Sequence, residues 1–236
     1  MSEDIRDYLK ASAASCGIEV TAQQAEQFQT YMELLLEWNE KMNLTAITEP
    51  KAVAVKHFLD SILLLPYLEK GNTLIDVGTG AGLPGVPLKI MRPQIQLTLL
   101  DSLNKRLVFL KDVMDHLGLE GEILHARAEE GGRQKALRIQ FANATARAVA
   151  PLNLLCEYCL PFLQMGGVFL AMKGPDPEEE IEAAKHAIAD LGCELAGVEK
   201  FALPGGDARS VIRIRRVKSL DMTYPRHGSK IAKNPL

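Results

Sequence analysis

The sequence predicts an α/β protein with a mostly parallel sheet that follows an all-helical amino-terminal segment. Residues up to about 70 show helical periodicity alone. From residue 72, five apolar runs of strand length alternate with helical stretches, which is typical of βαβ units with right-handed crossovers. Two more strand-like runs follow, with a turn signal and no convincing helix between them. Hydrophobic residues make up 47% of the 236 residues, enough for a substantial core.

The amino-terminal helices are predicted from apolar spacing and from their start signals. Residues 3–15 and 22–42 have the 3.6-residue period of helices that bury one face. Thr21 is a suitable N-cap for the second helix, and Pro50 is a suitable first residue for a third helix at 51–65. We expect these helices to pack on the sheet as a cap, although a separate helical domain is the alternative.

The sheet elements follow from the alternation of apolar and amphipathic segments. The predicted strands are residues 73–77, 95–100, 121–125, 142–147 and 167–172, and the predicted helices are residues 84–91, 103–117, 150–163 and 177–190. Residues 194–201 and 210–217 are predicted as a hairpin at the sheet edge. Five βα units with a final antiparallel pair differ from a nicotinamide-binding sheet. They resemble the Rossmann-like, seven-stranded, mostly parallel sheet of class I S-adenosylmethionine-dependent methyltransferases.

The predicted organisation is a helical cap at 1–70, a methyltransferase core at 71–218 and a basic tail at 219–236. Net charge is −3, which argues against a general nucleic-acid binder. Residues 209–236, however, hold eight Lys or Arg against one acid. These charges indicate either a solvated edge strand with a frayed tail or a contact with a polyanion.

Composition also excludes several classes of protein. No apolar run approaches the roughly 20 residues that span a bilayer, and the acidic start is unlike a secretory signal. Four irregularly spaced cysteines do not form a disulfide framework. Cys156 and Cys159 lie in a helical pattern and are predicted to be core residues, and His116 and His125 lack partners at metal spacing. We expect a cytoplasmic protein without a metal or membrane partner.

The glycine-rich loop at residues 76–85, D-V-G-T-G-A-G-L-P-G, predicts a ligand site. Triphosphate binding is excluded because Gly85 is not followed by Lys and Ser or Thr. The dinucleotide pattern that begins at Gly80 is weak evidence. The pattern that begins at Asp76 favours a cationic ligand, because a pyrophosphate 4–5 Å from this carboxylate would be repelled by about 3–4 kcal/mol at an effective dielectric near 20. Alternatively, Asp76 caps backbone N–H groups of the loop.

Other residues at the carboxyl ends of the strands complete the predicted site. Asp101 could accept both ribose hydroxyls of an adenosine, or it could cap the helix that starts near 103. Ala128 and Glu129 follow the third strand, where an adenine could lie. Arg147 ends an apolar strand, where a buried guanidinium must be paired; it either belongs to the site or forms a structural salt bridge.

Family-specific blocks run in order over nearly the whole chain. They are "WNEKMNLTAI" (38–47), "KHFLDSI" (56–62), "IDVGTGAGLPGVPL" (75–88), "LLDSLNKRLVFL" (99–110), "ARAEE" (126–130), "ARAVAPL" (146–152), "KG" (173–174) and "YPRHGSKIAKNPL" (224–236). On these blocks the chain resembles the bacterial family of ribosomal RNA small subunit methyltransferase G, also called glucose-inhibited division protein B. Family members often have Ser where this chain has Ala146.

The resemblance implies transfer of a methyl group from S-adenosylmethionine to N7 of one guanine in 16S rRNA. It places cofactor contacts at Gly78, Leu83, Ala128, Glu129 and Arg147. Together with the loop and strand-end residues, the predicted cofactor-binding set is Gly78, Thr79, Gly80, Leu83, Asp101, Ser102, Ala128, Glu129 and Arg147. Guanine N7 carries no proton at neutral pH, so no general base is required and no catalytic side chain is assigned.

RNA contact is expected at the positive carboxyl-terminal edge. The candidates are Lys173, Arg209, Arg226 and Lys230, with Lys56 and His57 as further options. The guanine must be presented unstacked. Low positive charge predicts modest, salt-dependent affinity for naked RNA and a preference for the 30S subunit or a precursor. We expect a monomer.

Three rival functions remain open at the level of sequence. A methyltransferase of the same fold could act on protein or on a small molecule, since fold alone does not fix the substrate. A ribosome assembly factor could keep the fold without catalysis, and the intact loop and Arg147 argue against it. A nicotinamide enzyme would bind NAD in place of S-adenosylmethionine.

Overall fold

A seven-stranded sheet with strand order β3-β2-β1-β4-β5-β7-β6 forms the centre of the protein in the computed structural model, which describes residues 3–236. The strands are β1 (Thr73–Val77), β2 (Gln96–Asp101), β3 (Glu122–His125), β4 (Phe141–Arg147), β5 (Leu163–Lys173), β6 (Cys193–Ala202) and β7 (Ala208–Arg216). Strands β1 to β5 pair in parallel, and β7 is antiparallel to both β5 and β6. This confirms the predicted mostly parallel sheet.

Helices precede the sheet and connect its strands. They are α1 (Arg6–Ser15), α2 (Ala22–Met42), α3 (Pro50–Val53), α4 (Asp60–Ile62), α5 (Gly85–Met91), α6 (Asn104–Leu117), α7 (Ala128–Gly131), α8 (Leu152–Cys159), α9 (Glu178–Asp190) and α10 (Gly228–Lys233). A π-helical stretch, Ala54–Leu59, joins α3 to α4. The helix predicted at 51–65 is therefore present, but its middle is wound more loosely than an α-helix.

The amino-terminal helices share one hydrophobic core with one face of the sheet. Helix α2 begins with a capping box in which Thr21 and Gln24 bond reciprocally. Its buried residues Phe28 and Met32 belong to the same apolar cluster as Leu88 of α5. This cluster supports a cap packed on the sheet, while the domain boundary at residue 70 stays a prediction.

The other face of the sheet is covered by α8 and α9. Cys156 and Cys159 on α8 are buried in the second apolar cluster, and burial raises the pKa of both thiols. Both cysteines thus pack as core residues, as predicted. Within residues 3–236, none of the helices has the length and apolar character required to cross a bilayer. The same residues contain no group of three or more His, Cys, Asp or Glu side chains arranged to hold a metal ion.

The predicted hairpin lies at the sheet edge with β6 outermost, but the basic strand β7 lies inside the sheet, so it is not the solvated edge strand that the charges had suggested as one alternative. It is paired with β5 on one side and with β6 on the other. Arg213 forms an ion pair with Glu199, and Arg215 forms one with Glu69. Arg216 is buried and donates to backbone carbonyls. Arg213 and Arg215 are partly exposed, whereas the buried Arg216 requires its partners because a buried charge without them is costly.

Candidate cofactor site at the carboxyl ends of the parallel strands

The loop after β1 turns sharply on glycines in the left-handed region. Gly78, Gly80 and Gly82 have φ of 67°, 59° and 89°, which L-residues with a side chain rarely adopt. A Cβ on Gly78 would lie 2.8 Å from Val149 Cγ2, and one on Gly82 would lie 2.7 Å from the Tyr31 hydroxyl. Glycine is therefore required here for both conformation and space.

The buried carboxylate of Asp76 stabilises this loop. This carboxylate is fully buried and accepts hydrogen bonds from Thr79 Oγ1 (2.7 Å), Gly85 N (3.0 Å) and Thr145 Oγ1 (3.1 Å). Burial raises the pKa of Asp76 to about 6, although these hydrogen bonds favour the ionised form. The carboxylate does not point into the cavity described below. The expectation that its charge selects the ligand directly is therefore not supported, and the capping alternative describes its contacts.

Asp101 lies at the carboxyl end of β2 and contacts the same loop. Asp101 Oδ2 accepts from Gly80 N at 2.9 Å, and Oδ1 accepts from Leu103 N at 2.8 Å. Arg106 Nη1 lies 3.2 Å from Oδ2. A carboxylate has about four acceptor positions, so capacity remains for a ribose hydroxyl. Asp101 both organises the start of α6 and lines the cavity, which makes the two predicted roles compatible.

A cavity of about 840 Å³ opens at the carboxyl ends of the parallel strands. Five of the predicted cofactor-binding residues line it, namely Gly78, Asp101, Ser102, Ala128 and Glu129. Its volume and its mixed polar and apolar wall are those of a site for a small ligand. The sequence therefore identified one side of the cavity.

In the described part of the chain, the other four predicted residues are not among those that line the cavity. Thr79 and Leu83 are buried. Gly80 donates to Asp101, as described above, and the Leu83 backbone N–H donates to the Thr79 carbonyl at 3.1 Å. These residues shape the loop, and any direct contact with a cofactor stays a prediction.

Sequence reasoning missed the opposite side of the cavity. It is lined by Ala148 and Val149 after β4, by Tyr158 of α8 and by residues of the carboxyl-terminal segment, including His227 and Gly228. Ala148 has φ of 55°, a strained conformation for a residue with a Cβ. The block "YPRHGSKIAKNPL" was the available signal, but it was interpreted as an RNA-binding tail.

Arg147 forms a buried ion pair with the amino-terminal segment. Its Nη1 lies 3.4 Å from Asp60 Oδ2 and donates to the Lys56 carbonyl at 3.2 Å. Burial lowers the pKa of Arg147 and raises that of Asp60. Arg209 Nε lies 3.5 Å from Asp60 Oδ1. These contacts match the structural salt bridge that the sequence left open, and a cofactor contact by Arg147 stays a prediction.

His57 completes this cluster as a neutral ring. Its Nδ1 lies 3.3 Å from Arg147 Nη2 and 3.2 Å from the Lys56 carbonyl oxygen, and its Nε2 lies 2.7 Å from Thr45 Oγ1. Burial and the nearby Arg147 charge lower the pKa of His57 to about 4.

Two of the predicted RNA-binding side chains are engaged inside the protein. Lys173 Nζ donates to the Ala150 carbonyl at 2.9 Å and to Glu180 at 2.6 Å. Arg226 forms a two-pronged ion pair with Glu157, which is fully buried. These contacts give both side chains a role in the fold, and contact of either side chain with RNA stays a prediction.

The other RNA candidates differ in whether their charges are paired within the protein. Arg209 is directed toward Asp60, as described above, and Lys56 pairs with Asp207 at 2.7 Å. Lys230 is exposed on α10, and it takes part in none of the ion pairs found among residues 3–236. Lys230 is thus the predicted RNA contact whose charge remains available.

Comparison with known proteins places this site in a family. The model of the family described as rRNA small subunit methyltransferase G matches residues 24–210. A protein with that name from Alkaliphilus metalliredigens (strain QYMF) is 48% identical over 232 residues, which cover 97% of each chain. The chain belongs to the rRNA small subunit methyltransferase G family. The namesake from Clostridium perfringens (strain 13 / Type A) is 44% identical and covers 98% of both chains.

Solved structures confirm the fold outside the rRNA small subunit methyltransferase G family. An O-methyltransferase from Bacillus cereus in complex with SAH has a TM-score of 0.58 at 13% identity and covers 89% of this chain and 97% of that one. TYW2 from M. jannaschii in complex with AdoMet has a TM-score of 0.55 at 15% identity and covers 68% and 76%. At these identities the likeness establishes the class I methyltransferase fold.

Membership in the rRNA small subunit methyltransferase G family makes the protein a methyltransferase of 16S rRNA that uses S-adenosylmethionine. The residues present fit that cofactor. Gly78 has no side chain, so its backbone itself lines the cavity beside Val149. Asp101 retains acceptor capacity for a ribose hydroxyl, and the small side chain of Ala128 leaves room beside Glu129 in the cavity wall.

Proposed function

We propose that the protein methylates N7 of a specific guanine in 16S rRNA and that its substrate is the 30S subunit or a precursor. The observation that carries the proposal is the cavity at the carboxyl ends of the parallel strands, lined by Gly78 and Asp101 in a chain of this family. Ligands of open parallel sheets bind at this rim.

Different residues of the cavity wall bind different parts of S-adenosylmethionine. Asp101 accepts from the ribose, because its carboxylate can form charge-assisted hydrogen bonds with hydroxyl groups. Ser102 lies beside it in the wall, and Ala128 and Glu129 hold the adenine end. Gly78 gives the methionine portion close access to the backbone.

The remaining loop residues position this wall. Thr79, Gly80 and Leu83 fix the glycine loop through hydrogen bonds with one another and with the two aspartates that flank it. Arg147 braces the end of β4 against the amino-terminal segment. When bound, S-adenosylmethionine supplies a methyl group that is activated by the sulfonium.

The protein's own contribution to the reaction is alignment. Guanine N7 has an in-plane lone pair and no proton at neutral pH, so the side chains need not remove one. Holding two reactants in line can contribute roughly 7–11 kcal/mol. Rigid elements that fix the guanine against the cavity are therefore sufficient for the chemistry.

Few of the candidate RNA-binding side chains have an unpaired positive charge with which to bind the substrate. Arg209, Arg226 and Lys173 have intramolecular partners, which leaves Lys230 as the exposed candidate. Net charge is −3, so affinity for naked RNA should be low and should fall further with salt. We infer that the monomeric protein recognises the folded ribonucleoprotein in the cytoplasm.

The test is methylation of 30S subunits isolated from cells that lack the protein. Incubation with methyl-labelled S-adenosylmethionine should label 16S rRNA at a single guanine, and the label should map to N7. 50S subunits and a short stem-loop that contains the same guanine serve as controls and should remain unlabelled or react far more slowly. Label on ribosomal protein, or on another atom of RNA, would overturn the assignment. An assembly factor without catalysis would bind subunits and leave no label.

A further inference from the structure

The carboxyl-terminal segment forms part of the wall of the cofactor cavity. His227, Gly228, Ser229 and Ala232 line the cavity that also contains Glu129. The sequence predicted this segment to be a basic tail for RNA. Its position in the cavity wall instead indicates a role at the small-molecule site.

A buried ion pair fixes the beginning of this segment. Arg226 Nη2 lies 2.7 Å from Glu157 Oε2, and the Arg226 backbone N–H donates to Glu157 Oε1 at 2.6 Å. Glu157 lies on α8 and is fully buried, so the pair is shielded from solvent. Ile231, also fully buried, anchors α10 by its apolar side chain.

Two arginines outside the segment hold its chain just before this pair. Arg138 donates to the carbonyls of Tyr224 at 2.6 Å and Asp221 at 3.0 Å, and Arg133 donates to that of Thr223 at 3.1 Å. The approach of the segment to the cavity is therefore defined by specific contacts on both sides of Arg226.

Gly228 brings the segment into direct contact with a predicted cofactor residue. A Cβ on Gly228 would overlap Glu129 Oε1 and would lie 2.8 Å from Glu129 Cδ. A side chain at position 228 would therefore have to displace the Glu129 carboxylate, which lies directly against the Gly228 backbone.

We propose that residues 227–232 complete the S-adenosylmethionine site and that cofactor binding and docking of this segment stabilise each other. The inference rests on the proposed function, because it concerns the ligand of the same cavity. Binding energies are linked reciprocally, so a docked segment that tightens cofactor binding is itself held more firmly by the cofactor. This segment positions the cofactor, and its residues are assigned no part in methyl transfer.

Calorimetric titration with S-adenosylmethionine tests the first half of the proposal. A chain that ends at Arg226 keeps the Glu157 ion pair and loses residues 227–236; we expect its Kd to rise at least tenfold. Gly228→Val should cause a similar rise by pushing on Glu129. Gly174→Ala is the matched control, since a Cβ there meets nothing within 4 Å, and its Kd should equal that of wild type. If the shortened chain does not fold, as judged by circular dichroism, Gly228→Val decides.

Limited proteolysis tests the second half without any activity measurement. Trypsin cuts after Arg226, Lys230 and Lys233, and saturating S-adenosylmethionine should slow cleavage at Lys230 severalfold in the wild-type protein. Unchanged Kd in Gly228→Val together with unchanged cleavage would overturn the inference and leave the proposed function intact. A wild-type protein that binds no S-adenosylmethionine would overturn the proposed function itself.

Discussion

Arg147 Nη1 lies 3.4 Å from Asp60 Oδ2, and this contact ties the end of β4 to the amino-terminal helical segment. Both groups are largely shielded from water, with Asp60 only 3% exposed. Residues 148 and 149, which line the cofactor cavity, follow directly after Arg147. The helical segment therefore supports the rim of the site, although Asp60 and Arg147 are nearly 90 residues apart in sequence.

Removal of the Asp60 charge should destabilise the protein strongly. Asp60→Asn leaves Arg147 and Arg209 without their carboxylate, and breaking a buried pair by removing one partner costs about 3–5 kcal/mol; the desolvation that raises the pKa of Asp60 offsets part of this cost, so we expect the lower end of that range. Denaturant unfolding at neutral pH measures the loss. Glu37→Gln, which removes the exposed pair with Lys41, is the control and should cost less than about 1 kcal/mol. A loss for Asp60→Asn as small as that of the control would contradict this prediction.

Asp101→Asn should weaken S-adenosylmethionine binding by about 10- to 100-fold, because a hydrogen bond to a charged group contributes about 1.5–3 kcal/mol. The Kd is measured by calorimetry on folded protein. Asp115→Asn, at an exposed position of the same helix that Asp101 precedes, should leave the Kd unchanged. Equal Kd values for the two variants would remove Asp101 from the site.

Gly78→Ala should impair cofactor binding and stability together. Its φ of 67° costs an L-residue roughly 1–2 kcal/mol, and its Cβ would press on Val149 in the cavity wall. Gly17→Ala is a matched control, because Gly17 has φ of 75° and open space around it. Gly17→Ala should lose stability from backbone strain alone, less than Gly78→Ala, and keep the wild-type Kd. Normal cofactor binding by Gly78→Ala would show that the cavity wall at this point is not used.

His57 should make stability depend on pH in the acidic range. Its pKa is lowered from 6.5 to about 4, so the unfolded chain binds the proton first as pH falls. The contribution of His57 is complete above pH 6.5 and is lost as pH falls toward 4, by about 3 kcal/mol in full. Asp60 and Asp76 have raised pKa values and act in the opposite direction.

Comparison with His57→Gln isolates this effect, since both carboxyl groups are present in both proteins. The difference in unfolding free energy between wild type and His57→Gln should shrink from pH 7 to pH 4. A difference that stays constant over this range would show that His57 titrates normally.

The strand and helix pattern was predictable because each element carries its own periodicity. Strands β1 to β5 and the predicted helices between them lie within a few residues of their predicted bounds, with β5 beginning earlier than expected, while the short helix α7 was not predicted. The position of β7 was not predictable in this way. Its alternation of apolar and basic residues is equally compatible with an edge strand and with an interior strand whose arginines find partners such as Glu69 and Glu199.

The residues of the site also differ in whether the sequence could predict their position. Gly78, Asp101 and Glu129 are adjacent to strand ends in sequence, so the topology of a parallel sheet brings them together. The orientation of Asp76 could not be predicted, because it depends on hydroxyl donors from Thr79 and Thr145. His227 and Gly228 are distant in sequence from every strand end that forms the cavity.

The sequence by itself determined the α/β class, the glycine loop and one side of the ligand cavity, since local periodicity and turn chemistry act over short stretches of chain. The tertiary structure decided which charges remain free. Arg226, a candidate for RNA, meets Glu157 across 69 positions of sequence, and that burial turns a basic tail into a wall of the site. A charge is paired or exposed according to what folds against it, and this depends on contacts between segments that no single stretch of sequence contains.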